Sequence, residues 1–412
     1  MRFVYTFLCL LLFNSITKAQ EKNLDFFLQQ AKNNSALFKD YQNQLRSLTL
    51  DSSIIKAGLR PQVSAATNLY YAPIIKGFGY DPAISNGQLI NGLVTVSKQI
   101  TPNTRIRTLL TAIQLSKDSL GVQKEFSTQD IYKSISSQYI TAWGSQQNLE
   151  LSYKILSLLQ KQDTILKKLT QKSVFKQTDY LTFKVALEQQ LFLVKQNETQ
   201  LKYDLSSLNL LSGIKDTTSY QLAPLNLQKI KENSIGETLI LKRYAIDSLR
   251  TINALKQLAY NYKPKASVFA DGGYQSSLPS NYYKNFGFSV GLNLSIPIYD
   301  GGLRKLNTQQ IKLRQQTQYQ YKEYYQNQFA IQQKQLKDMV LAYADLIKKA
   351  DSQLLYSKTL IKANELQLST GDIRMTDYLL SISNYLNTEV SLLQNKLNQL
   401  QTINQLHYFT LK

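Results

Sequence analysis

From 286 to 298 every even position is apolar (Phe286, Phe288, Val290, Leu292, Leu294, Ile296 and Ile298), while every odd position is Gly, Ser, Asn or Pro. A period of two sends successive side chains to opposite faces, so the pattern predicts a strand over about 285–299. One face of it suits lipid or a core, and the other suits water or close packing. The same period returns at 62–71, where Val63, Ala65, Thr67, Leu69 and Tyr71 share a side. It returns again at about 89–100, where Val94, Val96 and Ile100 share one, and at about 265–275. A tyrosine-bearing loop from Ala72 to Gln88 joins the first two, and Ser276 to Lys284 joins the last two, giving two hairpins.

Elsewhere the period is helical. Helices are predicted at about 24–57, 103–170, 178–211, 235–262, 303–369 and 376–410. The second has no proline and two glycines, Gly121 and Gly144; at 1.5 Å per residue it runs roughly 100 Å, as does the fifth. Apolar residues recur every seven positions: Ile135, Ala142, Leu149 and Leu156; Leu187, Val194, Leu201 and Leu208; Val340, Ile347, Leu354, Ile361 and Leu368; Leu379, Leu386, Leu393 and Leu400. Such seams pack helices along their length. Tyr343, Ala350, Ser357 and Asn364 fall between the seam residues of the fifth helix, and small or polar alternates suit a barrel of many helices better than a dry two-stranded coil.

The order of elements repeats. Thr178-Asp179-Tyr180-Leu181 returns as Thr376-Asp377-Tyr378-Leu379, 198 positions later, and Arg60-Pro61-Gln62-Val63 is echoed by Lys263-Pro264-Lys265-Ala266 at a spacing of 203. An internal duplication is expected, with a first copy at 20–212, a linker at 213–234 and a second copy at 235–412. Each copy reads helix, strand, strand, very long helix, turn, helix.

Composition narrows what such a chain can be. Arg2, the apolar run Phe3–Phe13 and Thr17-Lys18-Ala19 before Gln20 have the layout of a secretory signal peptide over 1–19. The single cysteine, Cys9, lies inside it, so the expected mature chain forms no disulfide. Losing Arg2 and Lys18 with that segment lowers the formal charge from +20 to +18. The lysines and arginines are scattered among Gln, Asn and Tyr and read mostly as solvated helix faces rather than a nucleic-acid surface, the weaker reading being that some line a path or face anionic lipid headgroups; no nucleic-acid partner is expected. Mean hydropathy is −0.29, and no 18-residue apolar stretch follows the signal; any entry into a membrane must be by strands. Four strands cannot close a barrel, and an open edge in lipid leaves backbone N–H and C=O groups unpaired, so several chains must share one.

With these features in order, the chain resembles the TolC-like outer-membrane efflux proteins over essentially all of its mature length. The resemblance is carried by Pro61 and Pro264 at the strand starts and by Ile296-Pro297-Ile298-Tyr299-Asp300-Gly301-Gly302 at the strand-to-helix corner. Leu208-Asn209-Leu210-Leu211-Ser212-Gly213 at the end of the first copy and the turns before Asp179 and Asp377 complete it. It implies a mainly α protein with a small antiparallel β section, assembled as a homotrimer whose twelve strands close an outer-membrane β-barrel continued by a periplasmic α-helical barrel. It implies a passive duct for efflux or type I secretion in a Gram-negative bacterium. The partners implied are outer-membrane lipid, a periplasmic adaptor and an inner-membrane pump of the RND, ABC or MFS type.

The same resemblance places a gate at the two turns, Lys172 to Asp179 and Thr370 to Asp377. An aspartate at the position of Asp179 takes part in the contacts that hold the tip closed, and one at the position of Asp377 contributes to an acidic ring. Three copies of a carboxylate about an axis attract cations. The chain departs from the family pattern at Leu380, where a second acid is expected, at Arg374, one place out of register with the lock arginine, and at Leu368 in place of a tyrosine. Read from the residues alone, Asp179 and Asp377 are first-turn carboxylates of their helices. Gly371 is a hinge-like turn residue that takes positive φ cheaply, and Ser173 at the matching place of the first copy weakens the parallel. Lys176 and Arg374 also match, each able to meet a carboxylate on a neighbour or on an adaptor hairpin, with a solvated surface cation as the commoner outcome. Phe286, Phe288, Val290, Leu292 and Leu294 are the lipid-facing strand residues.

No nucleophile, base and orienter stand together, Gly77-Phe78-Gly79 is not a nucleotide fingerprint, and one histidine, His407, without mature cysteine is a poor metal-ligand set. Neither enzyme activity nor a cofactor is expected. The alternatives are a periplasmic adaptor, which needs more β structure than two short hairpins, and a secreted coiled-coil scaffold without a pore.

Overall fold

A computed structural model describes residues 21–81, 87–216, 220–225, 239–277 and 284–410. The expected signal segment at 1–19, part of the 213–234 linker and the first residues of the helix expected from 235 lie outside the described residues. Two compact units are present, one of Met1–Phe38, Glu125–Thr238 and Gln326–Lys412, the other of Lys39–Lys124 and Leu239–Tyr325.

Along the chain run α1 (Leu24–Asn34), α2 (Ala36–Gly58), β1 (Gln62–Tyr71), β2 (Gln88–Ile100), α3 (Asn103–Gln171), α4 (Gln177–Leu211), α5 (Leu239–Asn261), β3 (Lys265–Ser276), β4 (Phe286–Ser295), α6 (Leu303–Thr370) and α7 (Met375–Thr410). Among the described residues no helix is long and apolar enough to cross a membrane. The helix expected over 24–57 is two helices, because Ser35 turns to an extended conformation at ψ 123°. The run Asn33-Asn34-Ser35 favours a stop, since these side chains compete for backbone groups. The Ser35 hydroxyl then accepts from the Leu37 amide at 3.3 Å and starts α2.

The sheet of the second unit has the order β1-β2-β3-β4, antiparallel throughout. Its register gathers the predicted apolar sides onto one face, in rows such as Val63, Val96, Ala270 and Val290 or Ala65, Val94, Gly272 and Phe288. Tyr274 and Phe286 meet edge to face at 5.2 Å near the loop end. Lys98 is the one charged residue on that face among the described residues and sits at the end nearer the helices, opposite Val268, where a long stem can cover apolar surface while its amine reaches water.

The strand expected to reach 299 ends at Ser295. Ser295 is the last residue of β4 with a partner, Lys265; the residue before that partner is Pro264, which has no N–H to give, and Pro297 likewise cannot extend a ladder. Ile296 and Ile298 therefore belong to the corner. There Gly301 and Gly302 adopt φ of 66° and 84°, and the Asp300 carboxylate caps α6 by accepting from the Arg304 amide at 2.7 Å and the Gly302 amide at 3.0 Å. Those bonds, the Arg304 amide first, hold the Asp300 carboxyl below its ordinary range.

In the first unit one core joins α1, α3, α4 and the 220–225 segment: Phe27, Ala31, Ile135, Tyr139, Ala142, Leu205, Leu208 and Leu222 are all buried. Backbone bonds Lys22 N–H to Gln221 C=O at 3.0 Å and Ala223 N–H to Lys22 C=O at 3.1 Å lay the N-terminal segment beside it. The Tyr139 hydroxyl donates to the Ala223 carbonyl at 2.6 Å. Polar ties then fix the sliding of α3 on α4: Ser145 donates to the buried Asp204 carboxylate at 2.6 Å, and Gln190 donates to the Ser152 carbonyl at 2.9 Å.

Three of the four predicted seams have at least three fully buried residues each, and the fourth is covered only in part. On α7 the buried line is Tyr378, Ile382 and Leu392, with Leu379 and Leu386 only partly covered. Pairs of adjacent apolar residues such as Tyr378-Leu379 and Leu392-Leu393 offer two seams, and contacts with α3, α4 and α6 select between them.

Candidate functional site at the two helix turns

A second core cluster of the first unit lies under both turns. It contains Leu166 from α3, Phe183 and Leu187 from α4, Ile361 and Leu368 from α6, and Met375, Tyr378 and Ile382 from α7. Phe175 of the first turn is also part of it. Apolar residues buried that close to both helix reversals hold the turns in place.

The first turn ends α3 with the Val174 amide donating to the Leu169 carbonyl at 3.0 Å and the Ser173 amide donating to the Thr170 carbonyl at 2.9 Å. The second ends α6 in the same way, from Asp372 to Gln367 at 2.9 Å and from Gly371 to Leu368 at 3.3 Å. A 6→1 and a 5→2 bond together make the Schellman motif, which needs a left-handed residue. Gly371 supplies it at φ 84°, and Ser173 supplies it at φ 63°. The expectation that serine would set the first turn apart is therefore corrected: the hydrogen bonds and the Phe175 anchor impose the conformation on a side chain that disfavours it.

Each following helix begins with a bond from the aspartate amide to the residue three before it, Asp179 to Lys176 at 3.1 Å and Asp377 to Arg374 at 3.1 Å. The carboxylates then differ. Asp179 Oδ2 accepts from the Lys176 backbone N–H at 3.3 Å, and the Lys176 amine cannot accept in return, so only half of a capping box forms. Asp377 Oδ2 instead faces Arg374 Nε at 3.3 Å. Arg374 thus meets a carboxylate of its own chain, whereas Lys176 is exposed.

The two turns touch. A Cβ added at Gly371 would lie 2.6 Å from Val174 Cγ1, so Val174 fills the space that glycine leaves. Tyr180 and Tyr378, also 198 positions apart, differ more. Tyr180 is half-buried, with Lys184 Nζ 5.9 Å from its ring centroid. Tyr378 is fully buried and its hydroxyl has no hydrogen-bond partner. Burial first, and the nearby Glu365 charge second, push the Tyr378 pKa up. Tyr378 entered the sequence reading only as part of the repeated Thr-Asp-Tyr-Leu; a tyrosine following the aspartate in both turns was the available signal for its burial.

Phe286, Phe288, Val290, Leu292 and Leu294 are all exposed on β4, Phe288 at 89%. Each strand at the border of the sheet, β1 and β4, has one unpaired edge among the described residues.

Compared with solved structures, the chain aligns with CusC at a TM-score of 0.77 and 12% identity, covering 95% of this chain and 92% of that one. It aligns with the outer membrane protein VceC of Vibrio cholerae at 0.75 and 12% identity, covering 94% and 96%. The CmeC outer membrane channel of Campylobacter jejuni follows at 0.72 and 14% identity, covering 96% and 87%. No protein-family model and no curated protein sequence matches. The chain has the fold of these outer-membrane channels across nearly its full length.

Proposed function

We propose that the chain is the outer-membrane component of a tripartite efflux or type I secretion system, a passive duct gated at its periplasmic end. One observation carries the reading: an antiparallel four-stranded sheet with an exposed apolar face and two unpaired edges runs through short corners into helices of 69 and 68 residues. In lipid those edges must pair. Three copies joined β4 to β1 make a closed twelve-stranded barrel whose apolar rows face outward, and the long helices continue it into the periplasm. The fold shared with the named outer-membrane channels supports this, and so does the doubled order of elements, which we read as a duplication.

On this reading the turns at Lys172–Asp179 and Thr370–Asp377 form the periplasmic tip, with Asp179, Asp377, Arg374, Gly371 and Lys176 as its gate residues. A periplasmic adaptor docks there and couples the duct to an RND, ABC or MFS-type pump. An adaptor or a secreted scaffold needs no open apolar sheet, and the sheet argues against both. The duct itself has no need of catalysis.

Planar-bilayer reconstitution tests the reading. A detergent-stable trimer that conducts, with conductance raised by substitutions at Asp179 and Arg374, is expected. A stable trimer that passes no current even after those substitutions would remove the conduit from consideration.

A further inference from the structure

The two turns share a backbone and differ in charge. Residues 161–184 carry six lysines against two carboxylates, a balance of +4. The matching residues 359–382 carry Lys362 and Arg374 against Glu365, Asp372 and Asp377, a balance of −1. Most of these carboxylates are already engaged. Asp163 pairs with Lys184 at 3.1 Å, Asp179 accepts a backbone amide, Asp377 faces Arg374, and Asp372 accepts from the Thr370 hydroxyl at 2.6 Å. Lys167, Lys168, Lys172 and Lys176 are exposed, with no carboxylate in ion-pair reach among the described residues. Lys172 and Lys176 stand in the turn itself, and that turn touches the second at Val174 and Gly371. Fields at physiological salt decay over about 8 Å, so charges carried on touching turns add up at their shared end.

Resting on the duct reading, we infer that the periplasmic mouth selects anions and favours negatively charged cargo. Each copy brings +3 to the tip, so three copies surround the axis with +9. A ring of one sign at a constriction enriches the opposite ion and repels its own. The carboxylate ring expected from Asp377 is thereby outweighed: its charge is matched within the chain by Arg374, and the first turn adds unmatched lysines beside it. The net charge of the whole chain, +20, has the same sign.

Reversal potentials in a KCl gradient across a planar bilayer test this, on the wild-type trimer and on D179N/R374Q, which removes one charge of each sign and keeps the tip at +3. Both should pass chloride over potassium by about threefold or more. The variant K167Q/K168Q/K172Q/K176Q lowers each copy from +3 to −1 and should bring the ratio to one or invert it. D372N/D377N raises each copy to +5 and should move the reversal potential further to the chloride side, an arm that stands even if the lysine variant does not assemble. A conducting trimer that prefers potassium overturns the selectivity while leaving the duct intact. So does a reversal potential that ignores both sets of substitutions. A stable trimer without any current removes the duct, and the selectivity with it.

Discussion

The turn after α3 and the turn after α6 close on the same pair of backbone hydrogen bonds, yet one closes around Ser173 and the other around Gly371. Positive φ alone therefore does not demand glycine in the second turn, because serine tolerates it in the first. Room is a further requirement. Val174 projects from the first turn into the space beside Gly371, where an added Cβ would lie 2.6 Å from its methyl group. The first turn supplies a knob and the second a hole, so the two differ in packing and charge while agreeing in backbone.

The largest test of that difference is Gly371→Val. It combines a β-branched residue at φ 84° with a direct clash on Val174, and a loss of about 2–3 kcal/mol is expected. Val174→Ala in the same chain should return about 1 kcal/mol of it, the steric share, because the two sites are in contact. Ser173→Gly should instead gain about 0.5 kcal/mol, the relief of left-handed serine less the entropy of glycine. Thermal unfolding followed by far-ultraviolet ellipticity reads all three. If Gly371→Val costs no more than a surface substitution, the knob and hole do not couple.

A smaller effect separates Tyr378 from Tyr180. A buried hydroxyl without a partner is destabilising, so Tyr378→Phe should stabilise by about 1 kcal/mol and Tyr180→Phe should stay within about 0.5 kcal/mol of zero. The pH dependence has a definite sign. Burial raises the folded pKa of Tyr378, so the folded state holds its proton more tightly than the unfolded chain. Stability from that proton is fully present below the ordinary tyrosine pKa of about 10 and is lost as pH rises above it. The advantage of Tyr378→Phe should widen above that pH, and an advantage that shrinks there would contradict the burial account.

Much of this arrangement is legible in the residues. Strands declare themselves because one face is apolar without interruption, and Val63, Val94 and Val290 reach the same face that their parity predicts. The long helices declare themselves through the absence of proline over 69 residues. What is not legible depends on partners distant in sequence. The left-handed Ser173 follows from backbone bonds and the Phe175 anchor, not from serine. The buried line of α7 is chosen between adjacent apolar residues by the helices beside it. The end of β4 is set as much by Pro264, opposite it, as by Pro297. The candidate gate was half legible: Asp179 and Asp377 stand at matching places, but nothing local says that one carboxylate caps a backbone and the other pairs with an arginine.

That last difference sets the smallest prediction. Lys176 offers no side-chain acceptor to the start of α4, so Asp179 is the carboxylate that reaches back to the N-cap N–H of Lys176 and meets the positive end of the helix dipole. Asp179→Ala should cost about 1 kcal/mol. Arg374→Gln breaks a pair whose members are 87% and 51% exposed, and pairs so placed contribute about 0–0.5 kcal/mol after screening. Added salt should leave the Asp179→Ala cost nearly unchanged, because a hydrogen-bonded cap is short-ranged, while it erases what Arg374→Gln loses. Equal costs at low salt that fall together as salt rises would mean that both aspartates act only through exposed charge. The asymmetry between the turns would then lie in their lysines and in Val174 alone.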